Sequence, residues 1–343
     1  METANVIGID LAKNTFQVHG AKADGSVAYR KKLSRARLLG FLAARPRCVV
    51  AMEACASAHY WGREITALGH EVKLVPPVYV KPFVKRHKND AADAEAITEA
   101  AQRPTMHLVE VKTEEQQARA MLFRTRDLLV RQRTQLINAL RGHLAEFGVV
   151  APQGPARIGQ LAGALEDGDS GLPKAVVELG GLLLERIDEL DERIDGLSVE
   201  LRDSAREDEE AARLMTTPGI GPVTALAIQA FAPPMESFRR GRDFSAWLGL
   251  VPKQHTTGGK PRLGKISKMG QRDLRRLLVS GAMAVIQSAV RRGGTADPWL
   301  ASMLERKPRK LVAVALANKT ARIVWALSTK KEVYRVHTVA AAA

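Results

Sequence analysis

Residues 5–33 read NVIGIDLAKNTFQVHGAKADGSVAYRKKL, and this stretch decides the fold of the N-terminal half. NVIGID (5–10) and TFQVHGA (15–21) have the composition of short strands, and SVAYRKKL (26–33) continues them after the turn Asp24-Gly25. A meander of hairpin-linked strands is expected. Working outward, 34–44 has a helical pattern, CVVAMEA (48–54) is an apolar strand, Ser57 to Leu68 is helical, and HEVKLVPP (70–77) is a further strand. The order βββ-α-β-α-β is that of an RNase H-like sheet, so the first part of the chain is α/β.

Beyond the Pro76-Pro77 break, a basic loop from Lys81 to Lys88 leads into DAADAEAITEAAQR (90–103), which is composed of strong helix formers. Leu122, Leu129, Leu136, Leu140, Leu144 and Phe147 recur at helical steps and predict one long helix over 113–147. After a Gly/Pro-rich segment, 148–173, Leu183, Ile187, Leu190, Ile194, Leu197 and Leu201 alternate four- and three-residue steps, the seam of a coiled coil. The two helices are expected to pair, within one chain or between subunits. The rest is helical with irregular loops. The expected division is 1–110 RNase H-like, 111–213 helical coiled-coil linker, 214–330 mainly helical C-terminal domain, and 331–343 a flexible Ala-rich tail.

At 343 residues and 45% hydrophobic content the chain can build more than one core. Lys plus Arg number 52 against 37 Asp plus Glu, a formal charge of +15, which is the footprint of a polyanion binder and makes nucleic acid the leading partner. No apolar run approaches the roughly 18 residues of a spanning helix, so a soluble, cytoplasmic protein without a membrane partner is expected. Cys48 and Cys55 read as buried thiols of a reducing compartment. The four tryptophans read as core anchors, and the histidines have no zinc-ligand spacing.

Asp10 closes the first strand, Glu53 closes the fourth, and Asp90 and Asp93 lie one helical turn apart on one side of a helix. Singly, each has an ordinary use: Asp10 as a turn cap, Glu53 as a surface acid, Asp90 as a helix N-cap. As a set they suit Mg²⁺ or Mn²⁺ in a two-ion phosphoryl-transfer site, because such ions take one or two carboxylates each and complete their shell with phosphate oxygens. Lys85, Arg86 and Lys88, just upstream, are placed to neutralise phosphates.

The C-terminal half carries a second basic block, with Lys260, Arg262, Lys265, Lys268, Arg272, Arg275 and Arg276 facing few acids. Pro218-Gly219-Ile220-Gly221 between helical stretches is similar to a helix-hairpin-helix element, in which Gly219 and Gly221 present backbone N–H groups to a phosphate. An ordinary helix-helix turn is the plainer alternative.

IGIDLAKNTFQVHG, VAMEACASAHYWGR and KNDAADAEAI resemble the N-terminal blocks of the bridge-RNA-guided insertion-sequence transposases, the "one-ten" family. TTPGIGPVTALAI (216–228), the block 244–283 and ALANKTARIVWAL (315–327) extend the resemblance over nearly the whole chain, and the AHYW and TGGK blocks resemble its "eleven-eleven" subgroup. The resemblance implies a RuvC-like domain in which Asp10, Glu53, Asp90 and Asp93 bind Mg²⁺, and a C-terminal transposase domain with a serine nucleophile just ahead of Gly-Gly-Lys. It also implies a structured guide RNA, donor and target DNA, and a homo-oligomer in which dimers assemble into a tetramer with composite sites.

This chain departs from the pattern, since it reads His255-Thr256-Thr257-Gly258-Gly259-Lys260 where serine is expected. Alignment from the downstream side favours Thr256 and from the upstream side Thr257. A threonine hydroxyl can attack phosphorus, but its methyl crowds the approach, so the chain is a competent variant, a slow enzyme or an inactive copy. Two other function classes fit the residues. One is a metal-dependent junction resolvase using water, and the other is a non-catalytic nucleic-acid-binding protein.

Overall fold

The computed structural model describes residues 4–85, 90–295 and 297–335, with the backbone alone at Asp90 and Pro155. Arg86 and Lys88, both expected to contact phosphate, lie outside the described residues, as does most of the expected tail. The chain forms two compact units, Met1–Gln117 and Ala118–Ala343.

In the first unit the strands are β1 (Val6–Asp10), β2 (Thr15–Ala21), β3 (Val27–Ser34), β4 (Val49–Glu53) and β5 (Glu71–Val75). Helices α1 (Leu38–Ala43), α2 (Ala58–Ala67), α3 (Pro77–Val80) and α4 (Asp90–Ala101) intervene or follow. Among the described residues they make a five-stranded sheet in the order β3-β2-β1-β4-β5. β1 runs antiparallel to β2 and parallel to β4, and β5 is parallel to β4. This mixed α/β arrangement is compatible with the RNase H-like reading. The β2–β3 turn forms where expected: Asp24 Oδ1 accepts from the Ser26 N–H at 2.9 Å, and Gly25 takes φ +84°.

Strand alternation gives the sheet two different faces. Ile7, Ile9, Phe16, Val18, Val50 and Met52 pack on one side with Leu38 and Leu42 of α1 and Trp61 and Ile65 of α2. Ala51 and Val75 pack on the other with Ala96, Ile97 and Ala100 of α4. Helix α4 lies unusually close to the sheet because β1 carries Gly8 there. A Cβ at that position would meet Thr98 Oγ1 at 2.0 Å and the Ala94 carbonyl oxygen at 2.4 Å.

The long helix α5 (Glu114–Ala145) leads into the second unit, which continues with α6 (Ile158–Glu166), α7 (Lys174–Glu207), α8 (Glu209–Met215), α9 (Pro222–Phe231) and α10 (Gly241–Trp247). Strands β6 (Pro252–Gln254) and β7 (Leu263–Ile266) form a hairpin, followed by α11 (Arg272–Arg291), α12 (Pro298–Arg306) and α13 (Arg309–Lys330). α5 and α7 pair antiparallel within the chain: the Arg126 guanidinium donates to Ser198 Oγ at 2.8 Å, and Arg133 pairs with Asp191 one heptad along. Ile187, Ile194 and Leu201 of the expected seam are buried.

Three expectations need correction. The Gly/Pro-rich connection contains α6, because IGQLAGALE sets Leu161 and Leu165 one turn apart and both bury against Ile137, Leu140 and Leu144. Interspersed cations broke up the apolar run of α13, yet that helix is long and apolar enough to cross a membrane by length and composition. Val312, Ala313, Leu316, Ala317, Ala321 and Val324 are used instead in the core of the second unit. Cys48 is only half-buried and Cys55 is exposed, because Cys55 falls in the loop after β4 rather than in the strand; both are free thiols. The tryptophans behave as expected. Trp61 is buried, and the Trp325 indole N–H donates to the Met235 carbonyl at 3.0 Å.

Candidate nucleic-acid-processing site

The acids of the first unit are set by register. Gly8 of β1 lies opposite Ala51 of β4, so Asp10 and Glu53, each two residues further on, stand level at the carboxyl ends of adjacent parallel strands. Side chains alternate along a strand, so both acids share the face covered by α4. On that helix Asp93 precedes Ile97 and Ala100 by one and two turns, on the side that packs over β4.

Electrostatics agree with this placement. Burial pushes the Glu53 carboxyl above its usual range, and the charge of Asp93 pushes it further. The Cys55 sulfur, though its residue is exposed, is partly desolvated by its loop, and the charges of Glu53 and Asp10 raise its pKa as well. Glu53 and Asp93 thus repel each other at one corner of the sheet, with Asp10 level with Glu53 on the adjacent strand, an arrangement that a hard divalent cation would relieve. Among the described residues no three His, Cys, Asp or Glu side chains close into a chelating group. The side chain of Asp90, at the start of α4, lies outside the description. The donor set is all oxygen and fits a divalent metal of the Mg²⁺ type.

Register also adds two side chains that the sequence reading left out. Asp10 pairs with Gln17 of β2, and Gln17 pairs with Lys32 of β3. Lys32, Gln17, Asp10 and Glu53 therefore form one row across the same face. Period-2 parity through the meander was the signal that could have found them. Lys85, expected to meet phosphate, is ion-paired with Glu95 and lies 3.7 Å from Glu99.

In the second unit the His-Thr-Thr block is the tip of the β6–β7 hairpin. The His255 N–H donates to the Arg262 carbonyl at 2.8 Å, and the Lys260 N–H donates to the Thr257 carbonyl at 3.1 Å. Gly258 and Gly259 both take positive φ, +56° and +74°, which a two-residue hairpin turn of this hand requires. Pairing of 255 with 262 and 257 with 260 puts Thr257 on the face of His255, Lys260 and Arg262. Thr256 faces the other way, with Gln254 and Leu263. Lys265 lies in β7 where the hairpin register is irregular, and Lys268 follows it at φ +55°. The block 255–265 is exposed throughout.

The remaining cations divide. Arg272 is exposed at the start of α11. Arg275 donates from Nη1 to the Leu248 carbonyl at 2.8 Å and the Met269 carbonyl at 3.1 Å, bracing two loops, and Arg276 is ion-paired with Asp127 of α5. Gly219 has φ +87° and packs its backbone against Gly281 of α11, where a Cβ on Gly281 would meet the Gly219 carbonyl oxygen at 2.0 Å. Gly221 is the N-cap of α9.

A sheet of this topology with acids at its carboxyl corner, in a chain that also carries an exposed basic hairpin, fits a protein that acts on phosphates. Comparison with known proteins narrows the class. Residues 7–148 match a model described as "Transposase", of the DEDD type of IS110 elements, and residues 211–295 match "Transposase IS116/IS110/IS902 family". The chain is 47% identical over 331 residues to a Pseudomonas aeruginosa protein named "Probable family 20 transposase", covering 96% of this chain and 98% of that one. It is 44% identical over 334 residues to the transposase for insertion sequence element IS1328 of Yersinia enterocolitica, covering 97% and 99%. It is 38% identical over 336 residues to the transposase for IS1111A of Coxiella burnetii, covering 98% and 92%. The chain belongs to the IS110/IS116/IS902 family of transposases, enzymes that cleave and rejoin DNA, and its DEDD domain points to dependence on a divalent metal.

Proposed function

We propose that this transposase excises and inserts a mobile element with two cooperating parts: a Mg²⁺ or Mn²⁺ site at Asp10, Glu53, Asp90 and Asp93, and a threonine nucleophile at the tip of the β6–β7 hairpin. The observation that carries the reading is the level placement of Asp10 and Glu53 on adjacent parallel strands, on the sheet face that Asp93's helix covers. Bound there, the metal supplies charge neutralisation at the phosphate and lowers the pKa of an attacking hydroxyl.

The threonine Oγ attacks the scissile phosphorus, its proton passes to solvent or a neighbouring base, and the P–O bond to the leaving DNA strand breaks. The displaced oxygen takes up a proton. A DNA hydroxyl then attacks the phosphothreonine, which rejoins the strand and frees the side chain. The hairpin register favours Thr257, since it shares a face with His255, Lys260 and Arg262, whereas Thr256 does not. Lys260, Arg262, Lys265, Lys268 and Arg272 would hold DNA phosphates.

The guide RNA and an assembly of dimers into tetramers complete the proposal. They are supported by the family resemblance and by the net charge. The test is to incubate the protein with Mg²⁺, the RNA transcribed from the flanks of the element and its DNA ends, then map covalent adducts by mass spectrometry. An adduct on Thr257 that is lost in Thr257→Ala and kept in Thr257→Ser is the expected result. Metal-dependent cleavage that persists in both threonine-to-alanine variants without any adduct would replace this mechanism with a water-using resolvase.

A further inference from the structure

We infer that Lys32, with Gln17 beside it, is a DNA-phosphate contact that guides the strand entering the acidic corner, so that the substrate crosses the sheet over β2 and β3. This inference rests on the proposed role of the acids. Asp10, Gln17 and Lys32 occupy one register row, and all three side chains face the side that α4 covers. Adjacent strands lie about 4.8 Å apart, so Lys32 stands roughly 10 Å from Asp10, where a long side chain meets a phosphate next along a strand whose scissile group lies at the acids.

The neighbouring cations of β3 are already engaged. Arg30, one pair further back on the same face, donates to Glu95 of α4 at 2.7 Å. Lys31 points to the opposite face, its Nζ 5.6 Å from the Phe41 ring centroid. Lys32 is exposed and has no ion-pair partner among the described residues. Gln17 is half-buried and offers its amide between the lysine and the acid. Lysine on an edge strand also has a general use, keeping the free edge from pairing with other chains. That use makes no distinction between Lys31 and Lys32, whereas a phosphate contact does.

Alternation along β3 therefore provides an internal control. Affinity for a fluorescent duplex carrying one terminus of the element is followed across a salt series for the wild type, Lys32→Ala, Lys32→Arg and Lys31→Ala. Excision of the element is scored in cells for the same set and for Asp10→Asn. Lys32→Ala is expected to lower the magnitude of the log–log salt slope by about one and to reduce excision about tenfold. Lys32→Arg restores both, Lys31→Ala matches the wild type, and all melt alike. If Lys31→Ala and Lys32→Ala match each other, whether unchanged or equally impaired, the inference is overturned. Asp10→Asn separates the two ideas. Loss of excision in Asp10→Asn with Lys32→Ala normal leaves the acid site standing and removes Lys32, while normal excision in Asp10→Asn removes the acid site and leaves the binding result to decide Lys32.

Discussion

Gly8→Ala is the most direct perturbation of the acidic corner that leaves every acid in place. The added Cβ would sit 2.4 Å from the Ala94 carbonyl oxygen and 2.0 Å from Thr98 Oγ1. Non-bonded heavy atoms settle near 3.5 Å, so α4 must withdraw from β1 by about 1 Å. Overpacking of this kind costs about 1–3 kcal/mol. Because Asp93 directly precedes Ala94 on that helix, it moves with it, and a displacement of about 1 Å at a phosphoryl-transfer site can cost on the order of 100-fold in rate. The expected result is a modest fall in melting temperature together with a loss of excision far larger than that fall explains. Thr98→Ala in the Gly8→Ala background removes the hydroxyl contact but leaves the backbone carbonyl, so rescue should be partial. Wild-type melting and excision in Gly8→Ala, or complete rescue by Thr98→Ala, would refute the claim that close backbone approach positions the helix.

Three further outcomes are expected. Arg275→Ala removes the Nη1 donor shared by the Leu248 and Met269 carbonyls, so it should destabilise the second unit by roughly 1–3 kcal/mol in urea melts; an unchanged midpoint would argue against the brace. Burial raises the pKa of the Asp208 carboxyl, but hydrogen bonds from the Ala211 N–H, Gln229 and Arg119 outweigh it and hold the group below its usual range. Its contribution to stability is then present above the unfolded pKa and lost as pH falls through the folded one, so Asp208→Ala should melt lower at neutral pH and begin to converge on the wild type only as pH falls below about 4. Arg276→Ala breaks a half-exposed pair with Asp127 and should lower stability by no more than about 1 kcal/mol while leaving the salt dependence of DNA binding unchanged. A reduced salt slope would return Arg276 to the phosphate surface.

The sheet was legible because its strands announce themselves by alternation and by the Asp24-Gly25 turn, and the acids were legible because each closes a strand or opens a helix. The sequence reading did not carry the register through to the far strand, and so Gln17 and Lys32 went unnoticed. Gly8 was hidden for a different reason: a glycine in a strand does not say what approaches it. The partners of Arg275 and Arg276, two loop carbonyls and Asp127, were not legible because composition records charge but not the neighbour a cation engages. Helix α6 was masked by its own glycines, which diluted a two-leucine apolar face. Cys55 shows the limit of placing residues by their distance from an apolar run, since two residues past the end of β4 suffice to bring it to the surface.

The β6–β7 hairpin is a ribbon of two short strands whose tip buries nothing. Isolated ribbons of this size sit near zero free energy of formation in water, so this one contributes almost nothing to the cooperative unfolding of the unit that carries it. If, as proposed, a threonine there attacks DNA, any ordering of the hairpin against a phosphate backbone would fall as a cost on binding. The family's strand-transfer chemistry would in this way be licensed by substrate capture itself, which keeps a free transposase from attacking phosphodiesters it merely collides with.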